Sequence, residues 1–347
     1  MLVDTREGEK TVKLGMKKQQ GERDQRTTCP FRPGAGAVPP ALVGRDDDLE
    51  LIENAIAQAA GGEPPQVALF VGERGMGKTA LLRRCERLAQ AAGGIVLRGE
   101  MAPDADLQRA FALGVQRAQE DLKGAPERLM DAARGLLHIV RANLSPVPGV
   151  DVDPGMNVVG ERRSFIEALD DLNKAARSHN RFLALSIDEI HSAKPDELRQ
   201  LGAYIQLTHE PNNPLLVFGA GLPATREFSR EHLPGYAWQR WTYNEIAELS
   251  IDESCAAITL PLQERGVSIA RDALTNLVKM SGRCPYFIQG FAAAAWNQHF
   301  SSTGWQFRDG ETITGNDVKA SIPRAERQLK NDFLMEGMSS HREGAPL

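Results

Sequence analysis

The chain has 347 residues, of which 41% are hydrophobic and 25% charged, a composition typical of a globular protein with room for two domains. Its net charge of −5 and pI near 5.9 argue against a surface devoted as a whole to nucleic acid. Since there is no apolar run of about 18 residues and residues 1–20 are polar and Lys-rich, we expect no membrane span, no secretory signal and a cytoplasmic location.

The first 40 residues are predicted to form a flexible leader that ends in a linker. Residues 1–33 are rich in Gln, Gly, Arg and Thr, and residues 30–40 form a Pro/Gly tract. The first helix is expected over residues 46–60, where Asp46 and its acidic neighbours precede apolar residues at helical spacing.

A phosphate-binding loop is the strongest signal in the chain. Residues 66–71 form a short apolar strand pattern, residues 72–79 fit G-x-x-x-x-G-K-[ST] without mismatch, and helical spacing begins at Thr79. The glycines allow backbone N–H groups to turn toward phosphate oxygens, Lys78 adds a positive charge, and Thr79 supplies a hydroxyl for Mg²⁺. The predicted nucleotide-binding residues of this segment are Gly72, Gly75, Met76, Gly77, Lys78, Thr79 and Ala80.

Several elements are expected between this loop and the next motif. A strand is predicted over residues 94–99, and helices over residues 107–119 and 125–140. Residues 144–160 contain Pro and Gly and are predicted to form an irregular loop or hairpin. A helix over residues 162–178 follows.

Two adjacent carboxylates end the hydrophobic strand pattern of residues 181–189. In P-loop proteins, an aspartate such as Asp188 holds Mg²⁺, and a following glutamate such as Glu189 polarises the attacking water. Both roles predict a strand next to the P-loop strand. A solvated acidic turn at a strand end is the alternative, and the upstream P-loop favours the catalytic interpretation.

The rest of the chain divides into a strand-containing part and a helical part. A helix over residues 195–209 and a buried strand over residues 213–221 complete the alternation, which predicts an α/β fold with a parallel sheet. Helices then dominate, and they are expected over residues 251–265, 270–281, 285–300 and 317–333. We therefore predict a P-loop α/β domain over residues 41–244 and a small helical lid subdomain with a polar tail over residues 245–347.

The sequence resembles a bacterial AAA ATPase group that is similar to the archaeal and origin-recognition ATPases of the AAA+ and STAND branches. The resemblance covers roughly residues 41–335. It depends on the P-loop, on the acidic pair, and on motifs at residues 43–45, 187–191, 219–223, 236–241 and 281–289.

The resemblance implies roles for residues outside the two main motifs. Val43, Gly44 and Arg45 match a segment that lies against the adenine, with a helix-entry turn as the alternative. Arg240 matches an arginine finger that a neighbouring subunit presents to the γ-phosphate, with a surface arginine as the alternative. Pro285 matches a nucleotide-binding position of the lid.

Departures from the family pattern lower the expected rate of hydrolysis. The strand that ends at Gly221 has no Asn, Thr or Ser where many relatives place a polar sensor, and no sensor arginine follows Pro285 at the usual distance. A slow switch is therefore favoured over a fast ATPase.

Two functions from different classes remain open on the sequence. The first is an Mg²⁺-dependent ATPase in which Lys78, Glu189 and Arg240 act in catalysis, Thr79 and Asp188 hold the metal, and ATP or ADP sets the conformation. The second is a regulatory or scaffolding module that binds nucleotide with negligible turnover. A homo-oligomer and an unidentified protein partner are possible, whereas the sequence does not support DNA binding.

Overall fold

The computed structural model describes residues 25–339 apart from residues 35, 104, 143–163, 212, 234 and 236. The described chain forms two compact units. Residues 45–247 form an α/β unit, and the described residues before 45 and after 247 form a helical unit.

A five-stranded parallel sheet is the centre of the α/β unit. Its strands are β1 (Val67–Val71), β2 (Ile95–Glu100), β3 (Leu183–Asp188), β4 (Leu215–Gly221) and β5 (Trp241–Glu245). The strand order is β2-β3-β4-β1-β5. Every residue of β3 and β4 is buried, as expected for central strands of a sheet covered on both faces. Because all strands are parallel, their carboxyl ends meet at one edge, which is where ligands bind in such sheets.

The described part of the α/β unit contains seven helices. They are α1 (Asp46–Gly61), α2 (Lys78–Ala91), α3 (Leu107–Asp121), α4 (Glu127–Ala142), α5 (Phe165–Ser178), α6 (Pro195–Leu207) and α7 (Thr225–His232). The apolar faces of α3, α4, α5 and α6 form one hydrophobic core with the strands. Helices α1 and α2 bury other apolar residues, among them Ile52, Ile56, Leu81 and Leu82. Short 3₁₀ turns at Ile190–Ser192 and Ala237–Arg240 follow β3 and precede β5.

The predicted α/β class with a parallel sheet is confirmed, but one predicted neighbour is wrong. β4 lies between β1 and β3, so the strand that ends in Asp188 does not border the P-loop strand. The helix predicted from residue 162 begins at Phe165, because Ser164 and Glu167 form a reciprocal capping box. The loop predicted over residues 144–160 lies outside the described residues.

The helical unit contains α8 (Ile251–Glu264), α9 (Arg271–Met280), α10 (Pro285–Ser302) and α11 (Gly315–Ser339). Two short strands, β6 (Ser268–Ile269) and β7 (Thr312–Ile313), pair in parallel and were not predicted. α11 begins before the predicted residue 317 and continues through Pro323. Within the described residues, no helix has the length and apolar character that crossing a membrane requires.

The segment before residue 45 packs onto this helical unit. The indole Nε1 of Trp296 donates a hydrogen bond to the carbonyl of Thr27 at 2.9 Å, and the backbone N–H of Arg32 donates to Gln289 Oε1 at 3.1 Å. Phe31 is buried in the helical core. Residues 1–24 of the predicted leader lie outside the described residues.

Candidate functional site

The loop between β1 and α2 has the backbone that its glycines predict. Gly75 and Gly77 have φ angles of 81° and 87°, in the left-handed region that other residues rarely adopt. Gly77 is the N-cap of α2, and no side chain caps that helix end. The first N–H groups of α2 therefore receive no side-chain cap from the N-cap residue, as a phosphate site at a helix start requires.

Gly72 is required for a steric reason. A Cβ atom on Gly72 would lie 2.2 Å from the backbone oxygen of Ile246, the residue after β5. The N–H of Gly72 donates to the carbonyl of Gly221, at the end of β4, at 3.2 Å. The start of the loop is thus fixed against both strands that flank β1.

The ammonium group of Lys78 is hydrogen-bonded to the start of this loop. Its Nζ donates to the carbonyls of Gly72 at 2.7 Å and Glu73 at 2.8 Å, and the residue is only 8% exposed. An ammonium group has three donors, so these two bonds leave one for a ligand. Burial lowers the pKa of Lys78, and the nearby carboxylates of Glu189 and Asp188 act in the opposite direction.

Thr79 and Asp188 meet at the carboxyl edge of the sheet. The hydroxyl of Thr79 in α2 donates to Asp188 Oδ2 at 2.9 Å, although β4 lies between β1, which precedes the P-loop, and β3, which ends in Asp188. A hydroxyl and a carboxylate are the hard oxygen ligands that Mg²⁺ prefers. No group of three or more His, Cys, Asp or Glu side chains gathers around an ion position anywhere in the described chain, so Mg²⁺ at this point would need phosphate and water oxygens as further ligands.

Arg98 is a member of this site that the sequence did not reveal. It lies on β2, and its Nη2 is 3.5 Å from Asp188 Oδ2. Its Nη1 is 3.8 Å from Glu86, which accepts a hydrogen bond of 2.6 Å from Ser186. A charged residue inside the otherwise apolar strand pattern of residues 95–98 was the one signal available.

Glu189 directly follows β3 in an uncommon backbone conformation. Its φ and ψ angles are 51° and 38°, and its N–H donates to Asp188 Oδ1 at 3.1 Å. A non-glycine residue in this region carries a conformational cost of about 1–3 kcal/mol, and such residues cluster at functional sites. Burial raises the pKa of Glu189, the charge of Asp188 raises it further, and Lys78 acts in the opposite direction.

Arg45 contacts the backbone of the loop. Its guanidinium donates to the carbonyl of Met76 at 3.1 Å and to that of Ala247 at 2.9 Å, and the residue is 8% exposed. Arg45 thereby connects the P-loop with the last residue of the α/β unit. Ala80, in the first turn of α2, is buried.

The other residues predicted near the nucleotide belong to the helical unit. Val43 packs against that unit's core, and Gly44 has a φ angle of 66° with its Cβ position 2.5 Å from the Glu253 carboxyl carbon. Pro285 is the first residue of α10.

Arg240 does not join the P-loop site of its own chain. It is exposed and ends the 3₁₀ turn that precedes β5. β5 runs parallel to β1 with Trp241 opposite Val67, so Arg240 lies at the amino edge of the sheet. At about 3.3 Å per residue, the five residues of β5 separate Arg240 from the P-loop edge by roughly 16 Å.

The fold and the site define a class of protein. A parallel sheet with this strand order, a glycine loop that opens a helix, and an aspartate that meets the helix threonine are the features of a P-loop NTPase. Residues 41–218 match the model of the family described as AAA ATPase domain. Because this match spans more than half of the 347 residues, the chain belongs to the AAA ATPase domain family, a family of nucleotide-binding P-loop proteins.

Solved structures show the same fold. The ORC2 protein of Aeropyrum pernix, determined as ADPNP–ADP complexes, matches with a TM-score of 0.57 and 15% identity, over 88% of this chain and 72% of that chain. Cdc6p of Pyrobaculum aerophilum matches with a TM-score of 0.53 and 16% identity, over 84% and 70%. A Walker-type ATPase of Pyrococcus abyssi matches with a TM-score of 0.58 and 13% identity, over 92% and 80%.

The predicted resemblance to AAA ATPases and to archaeal origin-recognition proteins is therefore confirmed. At these identities, the structural likeness concerns the fold alone. No protein among the curated sequences matches the chain.

Proposed function

We propose that the protein binds ATP together with Mg²⁺ and hydrolyses it. The observation that carries the proposal is the convergence of four side chains at one edge of the sheet. Lys78 closes the P-loop, Thr79 and Asp188 are joined by a 2.9 Å hydrogen bond, and Glu189 follows directly. Positive charge for phosphate, oxygen ligands for a cation and a carboxylate base are thus in one place.

We assign each residue a role in binding or hydrolysis from its chemistry. The N–H groups at the start of α2 and the ammonium of Lys78 would hold the phosphates. Thr79 and Asp188 would hold Mg²⁺, which when bound neutralises charge on the phosphate oxygens. Glu189 would orient the attacking water and accept its proton.

The choice of adenine nucleotide follows the family and the ORC2 protein, which was solved with ADPNP and ADP. We propose that exchange between ATP and ADP acts as a conformational switch. The position of Arg240 suits a finger acting between subunits, since it lies at the amino edge of the sheet, opposite the P-loop edge of its own chain. A homo-oligomer is therefore part of the proposal.

Phosphate release by the purified full chain tests this function. The wild type is expected to turn over ATP only with Mg²⁺, and EDTA is expected to stop it. Lys78→Ala should abolish binding of a fluorescent ATP analogue, whereas Glu189→Gln should retain binding and lose turnover. Wild-type turnover in Glu189→Gln would remove Glu189 from the mechanism.

A second candidate is a regulatory module that holds nucleotide without turnover and acts through a protein or DNA partner. The observation that favours it is the end of β4, where Gly219, Ala220 and Gly221 offer no polar side chain to the site. Single-turnover measurements separate the two candidates. Phosphate release slower than nucleotide exchange, with and without added DNA, is the result that this second candidate requires.

A further inference from the structure

One peptide group at the end of β4 bridges two parts of the site. The carbonyl of Gly221 accepts a hydrogen bond from the N–H of Gly72 in the P-loop at 3.2 Å. The N–H of the same peptide group, which belongs to Leu222, donates to Nδ1 of His191 at 3.2 Å. The start of the P-loop and the imidazole of His191 are therefore held by one rigid plane.

The bond from Leu222 fixes the tautomer of His191. A backbone N–H only donates, so Nδ1 must be unprotonated, and in the neutral ring the proton is on Nε2. That nitrogen lies 3.2 Å from Glu189 Oε2, within hydrogen-bonding distance. Burial lowers the pKa of His191 to about 4, so the ring is neutral near pH 7. His191 thus accepts from Leu222 on one side and presents Nε2 to the Glu189 carboxylate on the other.

The end of β4 and the turn that carries His191 are packed closely together. A Cβ on Gly221 would lie 2.1 Å from Thr225 Oγ1 and 3.2 Å from a methyl group of Ile190, so β4 and the turn that carries His191 touch. The N–H and the hydroxyl of Thr225 both donate to the carbonyl of Leu222, at 2.9 and 2.6 Å. The Leu222 amide therefore has little freedom to move away from the imidazole.

We propose that His191 is a positioning residue that holds the Glu189 carboxylate for hydrolysis and links it to the P-loop through the Gly221–Leu222 peptide group. This inference rests on the proposed function, in which Glu189 is the base. The chain of bonds gives the end of β4 a polar contact with the site through its backbone, where it has no polar side chain. His191 acts on the water only through Glu189.

Three substitutions of His191 separate its two contacts, with the Leu222 N–H and with the Glu189 carboxylate. His191→Ala removes both of them. His191→Asn keeps an acceptor near the Nδ1 position for Leu222, and His191→Gln keeps a donor near the Nε2 position for Glu189. His209→Ala is the matched control, since His209 is an exposed histidine beyond α6, away from the carboxyl edge of the sheet.

We expect His191→Ala to lower kcat by about 10- to 100-fold, the loss typical of a misplaced catalytic group, with the Kd of a fluorescent ATP analogue within about threefold of wild type. His191→Gln should recover more of kcat than His191→Asn, because only glutamine reaches Glu189. In a Glu189→Gln background, His191→Ala should cause no further loss in single-turnover rate. An unchanged kcat in His191→Ala, or a full additional loss in that background, overturns the proposal.

A spectroscopic arm tests the same geometry without turnover. The protein has seven histidines, and the ring ¹⁵N signals of His191 are assigned as those missing from the His191→Asn spectrum. A neutral ring protonated at Nε2 near pH 7, whose Nε2 signal shifts in Glu189→Gln, is the expected result. Protonation at Nδ1, or signals that do not respond to Glu189→Gln, overturns the proposal. A wild type without turnover under Mg²⁺ and ATP would refute the proposed function instead, and this arm would still decide whether His191 contacts Glu189.

Discussion

Replacing Gly72 by alanine should damage the fold and the nucleotide site together. The added methyl group would lie 2.2 Å from the backbone oxygen of Ile246 and 3.1 Å from its carbonyl carbon. The N–H of Ile246 also donates to the carbonyl of Val71 at 2.7 Å, so its backbone cannot turn aside without breaking the pairing of β5 with β1. Overpacking of this kind costs about 1–3 kcal/mol, and a backbone obstacle places Gly72→Ala at the upper end.

Gly135 offers a control with the same chemical change and the opposite expected sign. It is exposed on α4, and no atom lies within 4 Å of the position its Cβ would take. Alanine is favoured over glycine in a helix by about 0.5–1 kcal/mol. We therefore expect Gly135→Ala to raise the free energy of unfolding slightly and Gly72→Ala to lower it.

Thermal unfolding and nucleotide titration measure both effects. For a domain of this size, each kcal/mol shifts Tm by about 2–4 °C, so a cost of about 3 kcal/mol in Gly72→Ala should lower Tm by about 6–12 °C. Its Kd for a fluorescent ATP analogue should rise at least about tenfold, because the first carbonyl that holds Lys78 moves, whereas Gly135→Ala should leave Kd unchanged. A Gly72→Ala variant with wild-type Tm and Kd would refute the steric reasoning.

Four further predictions concern single side chains. Thr79→Ala should raise the Mg²⁺ concentration needed for half-maximal turnover by about tenfold, as removal of a polar ligand predicts, and a Mg²⁺ titration at saturating ATP measures it. Arg45→Met keeps the length of the buried side chain but removes two hydrogen bonds that the charged guanidinium donates. Chemical denaturation should therefore show a free energy of unfolding lower by about 2 kcal/mol. An unchanged denaturation midpoint would contradict the role of those bonds. Burial lowers the pKa of His191 to about 4 in the folded state, so between about pH 6.5 and pH 4 the unfolded state binds more protons than the folded state. As the pH is lowered through this window, the free energy of unfolding should therefore fall more steeply in wild type than in His191→Gln. If Arg240 acts between subunits, Arg240→Ala and Lys78→Ala should each be inactive alone, while their mixture regains ATPase activity, and an inactive mixture of folded proteins would argue against the finger.

The sequence alone predicted those parts of the site whose residues lie close together in the chain. The P-loop could be predicted because strand, glycines, lysine and helix follow one another within residues 66–91, and Glu189 because it follows Asp188 at the end of an apolar run. Strand order was not predictable in this way. The placement of β4 between β1 and β3 depends on packing between distant segments, and no local pattern encodes it.

Contacts between distant segments explain what the sequence missed in the site. Arg98 approaches Asp188 because β2 and β3 pair in register, with Arg98 opposite Ser186, and the two partners lie far apart in sequence. His191 was visible two residues after Glu189, but its significance depends on Leu222, a backbone donor that no side-chain pattern reveals. Backbone groups carry no sequence signal, so their roles appear only when the fold is known.

The end of β4 bears directly on the choice between a slow ATPase and a silent scaffold. The scaffold hypothesis draws on the lack of a polar side chain at residues 219–221, and it assumes that contact with the site must come from a side chain. The Gly221–Leu222 peptide group supplies such a contact through its N–H and His191, and it touches the P-loop through its carbonyl. A displacement of the P-loop start is therefore transmitted to Glu189 through two hydrogen bonds, one planar group and the 3.2 Å contact between His191 and Glu189. If His191→Ala lowers kcat and leaves Kd unchanged, the lack of a polar side chain on β4 no longer supports the scaffold hypothesis. If none of the three His191 variants changes kcat, the contacts from the Gly221–Leu222 peptide group through His191 have no role in hydrolysis. The lack of a polar side chain on β4 then again supports the scaffold hypothesis.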